Sequence, residues 1–185
     1  MRKPAPRAAL LPELRLFCFP YAGGGAAAFR KWPESLPQEV ELVVIQYPGR
    51  GSRLFEPPYP STTALVKALL PVLSARLDLP FTFFGHSLGA LIAFETARAL
   101  AANGLPAPAH LWLSGRGAAH LLDQHEQLHP LPDADFIERL KKFNGTPPEV
   151  LANAELMEIL LPVLRADFTL NETYVYQPGA LLTCP

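Results

Sequence analysis

Phe81-Thr82-Phe83-Phe84-Gly85-His86-Ser87-Leu88-Gly89-Ala90 is the stretch that decides the fold. Its first four residues, three of them aromatic, read as a buried strand. Gly-x-Ser-x-Gly follows at Gly85, Ser87 and Gly89, and an Ala/Leu-rich stretch with the composition of a helix comes next. A serine on so sharp a strand-to-helix turn is held in a strained backbone conformation with its hydroxyl pushed out of the sheet edge. Glycines two residues before and after it keep Cβ atoms out of the crowded turn. The positive end of the helix dipole favours negative charge developing at the same point. Ser87 is therefore the candidate nucleophile. An ordinary strand-to-helix loop would leave both glycines and the serine unexplained together.

Upstream of this turn, Leu14–Phe19 reads as a strand, followed by Pro20-Tyr21-Ala22-Gly23-Gly24-Gly25 and a short helix over 26–32. Three glycines between strand and helix let the backbone approach another group closely. If Ser87 attacks a carbonyl, the oxyanion needs one N–H from the residue after the nucleophile, Leu88, and a second from the loop after an early strand, for which Ala22 is the candidate. Val40–Ile45 is a second strand, β-branched as in a parallel sheet covered on both faces. Arg50 and Arg53, in the turn-rich loop that follows, read as structural arginines bonding loop carbonyls or acids, with an anion as the other reading. Ser61 or Thr62 caps a helix expected to run to about Leu77, with Pro71 kinking it or marking a turn.

Downstream, Ala90, Ala93 and Ala97 give the post-serine helix a small-residue face for close packing, and Asn103-Gly104 stops it. His110–Ser114 is a further strand. Strands alternating with helices define an α/β class with a parallel sheet, whose site lies at the carboxyl ends of the strands. From about 120 to 168 no strand is evident. Asp133 caps a helix carrying Phe136, Ile137, Leu140 and Phe143, Asn144-Gly145 ends it, and Pro147-Pro148 opens a short segment. A longer helix follows with Leu156, Met157, Leu160, Leu161, Leu164 and Phe168 on one face and Pro162 inside it. So long a helical insertion reads as a lid over the site, with Phe136, Leu140, Met157, Leu160 and Leu161 as candidates for its apolar underside. Leu181–Pro185 looks like the opening of another strand.

The totals fit one domain: 185 residues, 49% hydrophobic, formal net charge −1. That balance offers no basic field for nucleic acid or an anionic membrane. Cys18 and Cys184 lie near opposite ends in apolar surroundings and read as buried free thiols, with no zinc spacing; no metal or cofactor is expected. Met1-Arg2-Lys3 imitates a signal-peptide start, but Pro4, Pro6, Arg7, Pro12 and Glu13 interrupt any apolar core, which predicts a cytoplasmic protein.

Taken in order, Phe19-Pro20-Tyr21-Ala22-Gly23-Gly24, Gln46-Tyr47-Pro48-Gly49-Arg50-Gly51, Gly85-His86-Ser87-Leu88-Gly89-Ala90 and Leu113-Ser114-Gly115-Arg116 resemble the signatures of the stand-alone, type II thioesterases of polyketide synthases and non-ribosomal peptide synthetases. The resemblance runs from about Leu14 to the last residue. It implies an α/β-hydrolase fold and a helical lid that shapes the acyl pocket. It also implies hydrolysis of stalled or wrong acyl groups from the phosphopantetheine arm of a carrier protein, the expected partner. The family's acid and histidine follow strands later than those found here. His110, His120, His125 and His129 all lie before such a strand and read as loop or lid residues. The sequence is accordingly expected to be the N-terminal part of a thioesterase. Two other readings stay open: a carrier-protein binder without turnover, and a generic serine esterase on the same fold.

Overall fold

The computed structural model describes residues 11–121, 126–142 and 148–185. Four parallel strands form one sheet in the order β2-β1-β3-β4. These are β1 (Leu14–Phe19), β2 (Val40–Val44), β3 (Phe81–His86) and β4 (Leu111–Ser114). The register sets Phe19 of β1 beside Gly85 of β3, and His86 beside Ser114 of β4. The ends of the three strands around the serine turn are thus level with one another.

Period-two alternation divides the core in two. Phe17, Phe19, Phe81 and Phe83 face α1 (Thr62–Ser74) and α2 (Leu88–Ala102), making edge-to-face ring contacts at 5.8, 5.7 and 5.0 Å. Leu16, Cys18 and Phe84 face the other way, onto Phe29 and Trp32. Ala90, Ala93 and Ala97 are all buried, and their small size lets α2 lie close against the sheet. Asn103 and Gly104 close α2 as expected. Gly104 (φ +65) donates to the Ala101 carbonyl and Leu105 to the Leu100 carbonyl, the paired bonds of a Schellman stop.

Several expectations are corrected. The segment 26–32 forms two short 3₁₀ turns, Ala26–Phe29 and Trp32–Glu34, and not one helix. Pro33 has no N–H to extend a ladder, and a few residues cannot offset helix nucleation. Helix α1 starts at the Ser61 cap, which accepts from Ala64 N at 3.2 Å, but it runs through Pro71 and stops at Ser74, three residues short of Leu77. Residues 181–185 form no strand. A single bond from Leu111 N to the Pro185 carbonyl (2.9 Å) lays the end of the chain along β4, whose Trp112 and Leu113 are exposed. Cys18 is fully buried and Cys184 half-buried, and both are free.

Beyond β4 come α3 (Asp133–Lys142), α4 (Pro148–Leu151) and α5 (Ala154–Glu172). Asp133 lies inside the first turn of α3, where its carboxylate accepts from Arg165 (2.5 Å). Asn153 caps α5 by accepting from Leu156 N at 3.1 Å, and α5 continues through Pro162. Phe143, Asn144, Gly145 and Pro147 fall outside the described residues. No described helix is long and apolar enough to cross a membrane.

Candidate active site

Ser87 sits between the last residue of β3 and the first of α2 with φ 54° and ψ −116°. Among the described residues it is the one non-glycine with positive φ, a conformation that costs on the order of 1–3 kcal/mol. The surroundings impose it. Ser87 N donates to the Ser114 carbonyl of β4 (2.8 Å), and the Ser87 carbonyl accepts from Ala90 N (3.0 Å) at the start of α2. A Cβ at Gly85 would lie 2.2 Å from the Gly89 carbonyl oxygen, and one at Gly89 would lie 2.0 Å from the Phe19 carbonyl oxygen. Both glycines are therefore required by backbone contact. The second contact also brings the loop after β1 against the first turn of α2.

In that loop Gly24 N donates to the Tyr21 carbonyl (2.8 Å) and Gly23 has φ +74°. With Ala22 at negative φ, this is a type II turn centred on Ala22 and Gly23. The peptide joining Tyr21 to Ala22 is planar and trans. Its carbonyl points into the turn, so its N–H points out. Neighbouring amides have internal acceptors: Gly23 N donates to Asp167 Oδ2 (2.7 Å) and Ala26 N to Gln46 Oε1 (2.8 Å). Ala22 is half-buried against the core cluster that includes Leu88, the first residue of α2. The structure thus gathers Ser87, Leu88 and Ala22 at the carboxyl ends of β1 and β3.

Asp167 was not among the residues singled out from the sequence. Its carboxylate, 1% exposed, takes both arms of Arg50, with Nη1 at 2.6 Å and Nη2 at 2.8 Å. Arg50 also donates to the Gly24 and Pro48 carbonyls, each at 3.2 Å, and lies over the Tyr47 ring. Burial, with the nearby Asp167 charge second, holds the Tyr47 hydroxyl well above its ordinary pKa. Arg53 donates to the Gln46 carbonyl and to Glu56. Both arginines are structural, as read; the acid that Arg50 meets is on α5, 117 residues later.

Helix α5 serves two cores. Its end belongs to the body: Leu170 packs in the main cluster, and Thr62 Oγ1 donates to its carbonyl (3.0 Å). One face of the helix, carrying Met157 and Leu164, joins Phe136 and Leu140 in a separate, buried apolar cluster with Leu128, and Phe168 packs against that cluster. Leu160 and Leu161 are half-buried at the margin of that cluster, whereas Leu156 is exposed. Arg165 and Glu172 stitch α5 to the segment before α3. Arg165 reaches the Leu131 carbonyl (2.7 Å), and Glu172 accepts from the amides of Leu128 and His129 (both 2.9 Å).

The described histidines are engaged elsewhere. His86 Nδ1 is 3.1 Å from Ser114 Oγ, His110 stacks on Trp112, His120 meets the Tyr176 ring, and His129 Nδ1 is 2.7 Å from Glu172 Oε2. His125 lies outside the described residues. Three cavities of about 520, 580 and 440 Å³ lie, respectively, along β2 and α1, between the 54–60 loop and α5, and between α1, α2 and residues 174–182. None of the three is lined by Ser87.

A serine on a glycine-flanked turn at the carboxyl end of a parallel sheet, with a glycine loop beside it, defines the α/β-hydrolase class. The chain belongs to the thioesterase family: the Thioesterase domain model matches residues 14–183. It is 44% identical over 173 residues to the gramicidin S biosynthesis protein GrsT of Aneurinibacillus migulanus, covering 94% of this chain and 68% of that one. Among solved structures, RedJ, a thioesterase from the prodiginine pathway of Streptomyces coelicolor, superposes with TM-score 0.88 at 42% identity, covering 100% of this chain and 74% of RedJ. The type II thioesterase BorB of the borrelidin cluster superposes with TM-score 0.85 at 36% identity, covering 97% of this chain and 73% of BorB. Within the family the chain groups with the type II thioesterases of polyketide and non-ribosomal peptide clusters.

Proposed function

We propose that the protein hydrolyses stalled or aberrant acyl groups from the phosphopantetheine arm of carrier proteins. The observation that carries this is the strained Ser87 turn, held between β4 and α2 beside the Ala22–Gly24 loop. Ser87 Oγ attacks the thioester carbonyl carbon, and its proton passes to a histidine. The tetrahedral oxyanion is held by the Ala22 and Leu88 amides. Carbon–sulfur cleavage returns the proton to the departing thiol, and water then clears the acyl-enzyme by the same steps. A thiolate leaves readily, so the main work of the site is positioning the acyl carbonyl and admitting water.

The triad acid and histidine are not assigned to described residues, whose histidines meet Ser114, Trp112, Tyr176 and Glu172. The proposal gives the acyl chain the underside of the lid. Leu160 and Leu161 form the accessible margin there, and Phe136, Leu140 and Met157 form the floor. Malleable Met and aliphatic surfaces of this kind suit varied chains.

The test is turnover of acyl-phosphopantetheinyl carrier protein by the full-length enzyme, beside a simple oxygen ester of the same acyl group. Preference for the carrier-bound thioester supports the proposal. Equal rates on both favour a generic esterase. Carrier binding without release of acid favours the binder.

A further inference from the structure

We propose that Arg50 and Asp167 are positioning residues: their buried ion pair is a latch that makes the geometry of the Tyr21–Gly25 loop, and with it the Ala22 amide, conditional on the seating of α5. This inference rests on the hydrolase reading for its catalytic consequence, though not for its structural one.

The two peptide groups that fix Ala22 are held in different ways. The one before Ala22 is held locally, through the turn bond from Gly24 N to the Tyr21 carbonyl. The one after it is held from a distance, because Gly23 N donates to Asp167 Oδ2, an acceptor 144 residues along the chain. The same oxygen accepts from Arg50 Nη1 (2.6 Å), and that nitrogen also reaches the Gly24 carbonyl (3.2 Å). One carboxylate and one guanidinium thus grip the loop on both its donor and acceptor sides. Shape adds to charge. The nearest methyl of Leu164 lies 2.5 Å from where a Gly23 Cβ would stand, and Val163 lies 3.0 Å from the corresponding point at Gly49. The absence of a side chain at Gly23 and Gly49 leaves room for α5 against both loops.

Stability alone does not account for the pair. Removing two charges from water offsets much of their attraction, and well-packed apolar replacements of buried pairs are often neutral or better. A bidentate pair does fix orientation, which apolar contacts do not. Because α5 also carries the buried lid residues Met157 and Leu164, displacing its lid face pulls on Asp167. The loop then loses the acceptor for Gly23, and Arg50, the donor to Gly24, loses the carboxylate that orients it. The lid and the oxyanion donor are in this way one mechanical unit.

The test uses the full-length enzyme and two independent readouts: hydrogen exchange at the Gly23 amide, with the Ile92 and Ala93 amides of α2 as the global reference, and kcat and KM on an acyl-pantetheine thioester. The decisive variant is Arg50→Met/Asp167→Leu, which keeps bulk and removes charge. Its melting temperature and α2 exchange should stay near wild type. Gly23 exchange should rise about tenfold or more, and kcat should fall on the order of 10²-fold with KM changed less than about threefold. Wild-type kcat in that variant, or unchanged Gly23 exchange, overturns the latch. If the double variant fails to fold, Asp167→Asn decides: it keeps the shape and one acceptor but faces Arg50 without charge. Faster Gly23 exchange with a lower kcat supports the latch, and wild-type values for both overturn it. Absence of Ser87-dependent turnover in the wild type would defeat the hydrolase reading, while the exchange measurement would still judge the latch.

Discussion

The Ser87 turn and the Ala22 loop lie side by side at the same sheet edge, yet they are built in opposite ways. Most of what bends Ser87 is local: Gly85, Gly89 and Ala90 are within a few residues, with β4 and the loop after β1 supplying the remaining walls. The Ala22 loop has a local turn, but its second anchor is Asp167 on α5, and Asp167 depends in turn on Arg50. On the proposed function, the nucleophile is thus fixed by the body of the domain, and the Ala22 donor by the body together with α5. Damage to the lid should therefore weaken transition-state stabilisation while leaving the serine in place.

The sharpest way to break this division is at the serine. Ser87→Ala should lower turnover on the order of 10⁴–10⁶-fold with carrier binding nearly intact, measured by single-turnover hydrolysis and by titration with acyl-carrier protein. Activity above about a tenth of wild type would remove Ser87 from the chemistry.

Next in size is Ala22→Pro. Proline suits the second position of a type II turn, so the loop should keep its shape while losing the one N–H assigned to the oxyanion. The expected result is a fall in kcat of about 10²–10³-fold at nearly unchanged melting temperature. Undiminished kcat would move the second donor elsewhere.

A smaller effect probes the lid. Met157→Trp should lower kcat/KM for decanoyl more than for acetyl substrates, a graded shift worth about 1–3 kcal/mol. Because Met157 is 4% exposed among Phe136, Leu140 and Leu164, a uniform drop together with a lower melting temperature would make it lid core alone.

The smallest effect belongs to Cys18, whose thiol is pushed up to about 12 by burial. The folded thiol stays neutral where the unfolded one ionises. Stability should therefore decline as pH climbs from the ordinary thiol range, about 8.5, toward 12, and Cys18→Ala should flatten that decline in denaturant titrations. At pH 8 a thiol reagent should modify half-buried Cys184 well before Cys18.

The same division explains what was legible in the sequence. β1 is bounded where its apolar run begins and ends, and the serine turn announces itself, because its steric demand for glycine falls on neighbouring positions. The Asn103-Gly104 stop is legible for the same reason. Asp167 was not, since its role depends on a loop more than a hundred residues earlier. A signal was nonetheless present. Asp167 falls three residues after Leu164 and seven after Leu160, so a charge lies on the apolar face of α5 and needs a partner. Arg50, in a glycine-rich loop beside the site, was an available candidate. The 26–32 segment is alanine-rich, but Pro33 follows it, so it forms two 3₁₀ turns instead of one helix. Residues 181–185 misled because an apolar run shows strand propensity without showing whether a ladder forms.

The most direct measurement is the site of acylation. Full-length enzyme is mixed with a slowly hydrolysed acyl-carrier thioester, quenched in acid and digested, and the peptide carrying the added acyl mass is sequenced. The account predicts the acyl group on Ser87, appearing within a turnover and decaying as free acid is released. An acyl group on another residue, or acid released at the full rate with no acyl-Ser87 at any time, would contradict it.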